Sequence, residues 1–445
     1  SGVREAEGCT RPFASFRMRG RGTPAPRRLP SFPRTDPFVP WPRSLIALQH
    51  RNFRLLWIGL LLSFSGSMMQ NAALLWHVSL LVPPDQKALA LGGVGLTRVI
   101  PIVFFSLVSG VVADALDRRR VLLVTQTAAG LVALSLFALT ASGVTALWPV
   151  YTLAAIGGAV SVFDLPARQA LLPNLVPRHH LANAIALNTI MFQLASVTGP
   201  AMAGLVIAHS GVGAAYLINA LSFLFVIVAL LLMRGLPAWK PSAQGLREDL
   251  SVKAAMEGLR FVMTSPLIRS TMLLDFFATF FASATALLPI FAQDVLHVGA
   301  RGYGWLFAAP AVGSLCMSLV MVPLVEKIRR RGPSIVVAVI GHGVATIVFG
   351  FSRAFWLTFL CLALIGATDT VSTVLRNVIR QLETPDRLRG RMMGVNMVFF
   401  QGGPQLGELE AGTVANFWGG PLSVITGGIG CVIATVWIAA ATPTL

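Results

Sequence analysis

With 445 residues, 55% of them hydrophobic and only 12% charged, the chain has far too few charges for a soluble globule, where roughly 25% is usual. Its formal net charge of +17 raises the question of nucleic acid, but a basic footprint for DNA or RNA would gather on one soluble face, whereas these charges alternate with long apolar blocks. The four cysteines, Cys9, Cys316, Cys361 and Cys431, show no paired spacing, so neither a disulfide framework nor a metal site is indicated.

Residues 1–47 are rich in Arg, Pro and Ser and lack an apolar run, which reads as a disordered cytoplasmic tail rather than a cleavable signal peptide. Twelve apolar blocks follow, at about 55–82, 88–113, 121–142, 146–165, 182–208, 213–233, 268–293, 303–325, 334–352, 354–375, 392–415 and 421–440. A helix needs about 20 residues to cross a hydrocarbon layer of roughly 30 Å, so each block predicts a transmembrane helix. The connections at 83–87 and 352–355 are very short and make their neighbours antiparallel. Of the 35 basic residues, 31 fall at alternate connections, the bias that places both termini and the 234–267 linker in the cytoplasm. Within that linker, EDLSVKAAMEGLRFVMTS sets Leu250, Ala254, Met256, Leu259 and Phe261 mostly on one helical face, the pattern either of an amphipathic helix on a membrane surface, with Lys253 and Arg260 available to anionic headgroups, or of a solvated spacer between the halves.

The chain is also a duplication. The stretch from Asp164 to Gly211 recurs 208 positions later, laying Arg168 on Arg376, Asn188 on Asn396, Gln193 on Gln401, Gly204 on Gly412 and Gly211 on Gly419. An upstream echo at an offset of 212 aligns Asp114 with Glu326, Arg118 with Arg330 and Arg119 with Arg331. Two nearly equal offsets predict an all-α membrane protein of twelve transmembrane helices in two pseudo-symmetric six-helix halves, 48–233 and 268–445, joined by the linker.

Twelve spans with charged loops at matching places resemble the major facilitator superfamily, whose halves are related about the membrane normal. The loop after the second span, Gly110, Asp114, Ala115, Leu116, Asp117, Arg118 and Arg119, resembles that superfamily's best-known motif, with Ala115 at its first basic position and Asp117 at its second glycine. Asp117, DLPARQALLPNLVP and TPDRLRGRMMGVN resemble more narrowly the branch that includes the enterobactin exporter and many bacterial drug-efflux permeases. The resemblance implies a bacterial inner-membrane secondary transporter that exports a small amphiphilic or drug-like molecule, or a siderophore, in exchange for protons, with membrane lipid as its surroundings and no nucleic acid or cofactor. Uptake of a small polar metabolite is the alternative within the fold, and a non-transporting membrane scaffold or sensor the alternative outside it. No phosphate-cradling GxxxxGK[ST] loop and no catalytic set in a soluble domain is seen, which points away from an enzyme and from ATP as the direct energy source.

Charges inside hydrocarbon cost roughly 2.5–3.5 kcal/mol on insertion scales and mark function. Arg98, about 15 Å into its span at 1.5 Å per residue, is expected to line a central cavity with the polar set Gln70, Asn71, Gln193 and Gln401. Glu408 and Glu410 stand two residues apart, about 200° around a helix, so one of them alone faces that cavity. Glu408 is the expected proton-coupling acid and Glu410 the one nearer the outer interface, with Asp275 the other candidate for coupling. Asp369 is expected either to tie to Arg376 two turns on or to the inner loops, or to take part in transport. An inner gate is expected from Asp114, Arg118, Arg119 and Arg168 with their mates Glu326, Arg330, Arg331 and Arg376. The cytoplasmic assignment of the linker is checked by placing a cysteine at Ser242: an impermeant thiol reagent applied outside should leave it unlabelled, and strong labelling reverses the topology.

Overall fold

A computed structural model describes residues 43–235, 252–325, 327–328 and 330–442. Most of the N-terminal tail, linker residues 236–251, Glu326 and the Asp114 side chain lie outside the described residues. The expected tail does not run to residue 47: Arg43–Gln49 form a 3-10 helix, anchored where the Ala47 N–H donates to Asn183 Oδ1 at 3.0 Å.

The first helices are α1 (Arg51–Leu81), α2 (Lys87–Ala115), α3 (Arg118–Ala141) and α4 (Leu147–Leu171). The helical stretch Leu181–Leu232 is broken at Gly211 into α5 (181–210) and α6 (212–232). The short α7 (Val252–Thr264) lies in the linker, followed by α8 (Pro266–Phe281). The second half continues with α9 (Gly299–Leu324), α10 (Arg331–Phe351), α11 (Phe355–Glu383), α12 (Asp386–Trp418) and α13 (Gly420–Ala441). Among the described residues ten helical stretches are long and apolar enough to cross a membrane. One of them holds both α5 and α6, and α12 falls outside the ten because Gln401, Gln405, Glu408 and Glu410 dilute its apolar residues, so the pattern is consistent with twelve crossings.

The seventh span is not the continuous block expected at 268–293. It stops at Phe281 and resumes as short 3-10, α and π turns over 284–295. Pro289 lacks the N–H a continuous ladder needs, and the Ser283 hydroxyl leaves the helix to donate to the Pro404 carbonyl at 3.1 Å. In α7, Val262 is buried against Ile268, Met272 and Met392, whereas Met256, Leu259 and Met263 remain exposed.

The halves meet where backbones touch. α2 crosses α12 at Gly92 and Gly412: a Cβ on Gly92 would sit 3.0 Å from the Glu408 carbonyl, and one on Gly412 would sit 2.5 Å from that of Ala88. α5 crosses α9 at Gly204 and Gly304, where added Cβ atoms would come within 2.7 Å of the Ala300 carbonyl and 2.6 Å of the Pro200 carbonyl. Gly92 and Gly304 are separated by 212 positions, Gly204 and Gly412 by 208, so the two crossings are copies of one another. Around them a single buried cluster draws on both halves, including Met69, Leu75, Tyr216, Phe291, Tyr303 and Phe349. Toward the other end the core divides into one cluster within the first half, with Phe53, Leu122 and Leu171, and one within the second, with Leu274, Ile335 and Leu375. The bundle is closed at one end and splayed at the other.

Gly211 (φ 79°, ψ 175°) and Gly419 (φ 86°, ψ 156°) are also repeat mates. They take a backbone conformation nearly exclusive to glycine, which turns the chain between spans without a loop. A Cβ at either position meets nothing within 4 Å, so Gly211→Ala or Gly419→Ala isolates backbone strain, worth about 1–3 kcal/mol. Each variant should melt below the parent in detergent, and an unchanged melting temperature would contradict the turn's dependence on glycine.

Candidate functional site

Arg98 lies deep in the protein's mass yet is only half-buried, as a residue on a cavity wall should be. Its backbone rests against α4, 3.6 Å from where a Cβ on Gly158 would stand. Glu408, Tyr303 and Tyr216 are the ionisable groups close enough to act on it through space. Glu408 is buried, and its Oε2 has no hydrogen-bond partner among the described residues. That oxygen lies 3.0 Å from where a Cβ on Gly95 would be, so the carboxyl lies on α2 one turn before Arg98, outside ion-pair distance of it. Gly95 is what allows the approach. Glu410 is half-buried. Gln70 is bound within its own half, accepting from Asn219 Nδ2 at 2.8 Å, while Asn71, Gln193 and Gln401 are half-buried.

The closed end carries the polar links between halves. The Lys87 ammonium on α2 donates to Gln293 Oε1 at 3.0 Å and pairs with Asp294 at 3.3 Å, and Gln293 Nε2 donates to Ser79 Oγ at 2.8 Å. Arg301 donates to His209 Nε2 at 3.3 Å, and the Tyr303 hydroxyl to the Ala72 carbonyl at 2.8 Å. His77 is buried, with its Nδ1 3.2 Å from the Tyr216 hydroxyl. Aromatic residues and hydroxyls at this end gave no sequence signal beyond their apolar setting.

At the splayed end the expected gate residues bind within their own halves. Arg118 donates to the Ala170 carbonyl at 3.0 Å and Arg119 to that of Leu231 at 3.1 Å. Arg168 pairs with Asp164 one turn away and stacks its guanidinium 4.0 Å over the Phe64 ring. Asp164 also accepts from Thr125 at 2.9 Å and Gln126 at 2.7 Å. Arg330 is exposed and Arg331 half-buried at the start of α10.

The repeat mate of Arg168, Arg376, is 1% exposed and pairs with Asp275 at 2.9 Å and Asp369 at 3.6 Å. Arg380, 4% exposed, also reaches Asp275, at 3.2 Å, and donates to Asn396 Oδ1. Arg168, Arg376 and Arg380, counted from the sequence among connection charges, are therefore helix-interior residues. Arg380 was missed as a site residue, although its i, i+4 spacing from Arg376 places both on one face. Asp275 holds two guanidiniums together, so Asp275→Asn leaves Arg380 buried without a paired acid and Arg376 with Asp369 alone, at a cost of about 3–5 kcal/mol. The variant should lose folded protein or melt well below the parent; equal melting would show that the carboxylate is not a structural counter-charge.

The geometry is that of two helical halves that meet near one end, and solved structures share the fold. A family model described as transmembrane secretion effector matches residues 43–443. The enterobactin exporter EntS of Citrobacter koseri is 30% identical over 306 residues, covering 68% of this chain and 71% of that protein; EntS of Escherichia coli O1:K1 / APEC matches to the same extent. Among solved structures, the nucleoside transporter NupG superposes with a TM-score of 0.67 at 15% identity, over 87% of this chain and 98% of that one. A bacterial homologue of the lysosomal transporter Spinster superposes with a TM-score of 0.70 at 13% identity, over 88% and 97%. Match and architecture together establish that the chain belongs to the transmembrane secretion effector family of major facilitator transporters.

Proposed function

We propose that this transporter exports a small amphiphilic or drug-like compound, a siderophore being one such class, in exchange for protons. The observation that carries the reading is the relation of Arg98 on α2 to Glu408 on α12: one enclosed charge from each half, brought to the same crossing without an ion pair between them. Export itself is supported by the likeness to the enterobactin exporter, and by a centre with few charges, which suits an amphiphile better than a sugar. The basic, splayed end faces the cytoplasm of a bacterial cell, and the described state is the inward-facing one. Residues 48–233 and 268–445 act as the two rocking units, with 234–267 as the cytoplasmic link.

A carboxyl in a low-dielectric site favours its protonated form, and an approaching cation favours the ionised one. Rocking the halves changes the distance between α2 and α12 and so moves Glu408 relative to Arg98. Approach expels the proton and separation readmits it, and if substrate competes for the same separated state, loading of proton and substrate become alternatives. That is the minimum antiport requires. A bias of a few kcal/mol between states suffices, to which the Lys87–Asp294 pair, with its acid exposed and its ammonium largely buried, adds.

In inverted vesicles, Glu408→Gln should abolish transport driven by a pH gradient while leaving substrate exchange intact. Undiminished gradient-driven transport would remove Glu408 from coupling. Loss of exchange as well would make it a substrate or structural residue.

A further inference from the structure

On the flank of the first half lies a groove of about 670 Å³, lined by neither Arg98 nor Glu408. α4 supplies its floor, including Phe163, while α2 and α3 form walls that scarcely touch each other. Its interior is apolar: Phe105 and Val112 come from α2, Val124 from α3, and the Phe105 and Phe163 rings meet 5.8 Å apart at its deep end. Val124 and Phe105 are 69% and 41% exposed, so the groove opens sideways. At the other end stand Asp117 and Arg120.

Two features identify the occupant. From Phe105 to the end of α2 is about 15 Å at 1.5 Å per residue, the depth of one leaflet in a hydrocarbon core of roughly 30 Å. The mouth is also cationic. Asp117 is used as the N-cap of α3, accepting from the Arg119 N–H at 3.0 Å. Arg118 and Arg119 are held by backbone carbonyls. Arg120 is 86% exposed and pairs with Asp117 through its Nε alone, at 3.8 Å, a surface contact of about 0–1 kcal/mol that a phosphate can displace. The repeat mate of Arg120 is Gly332, so the second half does not reproduce the mouth.

We infer that this groove is a binding site for an anionic phospholipid, with one acyl chain between α2 and α3 and its phosphate on Arg120. The lipid comes from the inner leaflet, a point that rests on the orientation proposed above. Because the groove walls are the two helices joined by the short turn at Leu116 and Asp117, an occupied groove props them apart and ties local lipid to the splayed end of the transporter.

The full-length protein in detergent is titrated with phosphatidylglycerol or phosphatidylcholine and followed by native mass spectrometry and thermal melting. Phosphatidylglycerol should bind and raise the melting temperature more than phosphatidylcholine does. Arg120→Gln should weaken phosphatidylglycerol about fivefold, the loss expected for one basic contact to an anionic lipid, and leave phosphatidylcholine unchanged. Ala159→Phe, which fills the groove floor, should weaken both lipids. Equal binding of the two lipids by the parent, or lipid binding indifferent to both substitutions, overturns the site. So does an Ala159→Phe variant that keeps lipid binding but loses transport, which would make the groove a substrate portal. In vesicles with phosphatidylglycerol confined to one leaflet, stabilisation from the leaflet opposite to the basic loops supports the site and overturns the orientation alone.

Discussion

Everything else in this molecule depends on two places where helix backbones touch without side chains between them. Lipid tails are as apolar as leucine, so helices in a membrane gain little from hiding apolar surface, and van der Waals contact with close approach has to hold them. Gly92 with Gly412 and Gly204 with Gly304 supply that approach, and they do so near one end of the helices. With the halves pinned there, the shared core of Tyr216, Phe291, Tyr303 and Phe349 forms around the pins. The far end is free to separate into two cores. A hinge located by four hydrogen atoms in place of methyl groups is stiff against translation and soft against rocking, which is the freedom alternating access requires.

The ionisable groups divide by what they stabilise. Asp275 with Arg376 and Arg380, and Asp164 with Arg168, are buried at the splayed end and bind inside one half. Buried pairs are expensive to form and more expensive to break, so each keeps its half rigid when the other moves away. Lys87 with Asp294 joins the halves from a more exposed position, where an ion pair is weak and can open without a large penalty.

The architecture was legible because it is written in long-period signals. Apolar blocks of membrane-spanning length and a 208-residue repeat survive any local irregularity, and Gly211 and Gly419, aligned by that repeat, share a positive φ in the fold. Arg98 and Glu408 were legible because a charge in an apolar run has no cheap explanation. What stayed hidden depends on rotation about a helix axis and on small displacements along it. Arg168 and Arg376 look like loop charges in the sequence, and only the fold shows that their helices continue past them and turn the guanidiniums inward. The break after Phe281 was hidden in the same way, since the residues there remain apolar while the ladder yields to Pro289 and to contact with α12.

The two crossings are copies in backbone but not in chemistry, and the difference suggests how a symmetric scaffold performs a directional task. At the repeat offsets, Arg98 corresponds to Pro310 and Glu408 to Pro200. The α2–α12 crossing therefore carries a cation and an acid where the α5–α9 crossing carries two prolines, both within helices. Proline removes a backbone hydrogen bond and loosens the helix locally, so the second crossing can bend. The first has prolines of its own, Pro101 in α2 and Pro404 in α12, so what sets it apart is the pair of charges, whose separation is proposed above to change as the halves rock. One duplicated backbone contact thus has a cation and an acid beside it in one copy and two prolines in the other, and both depend on the glycines that let each pair of helices meet.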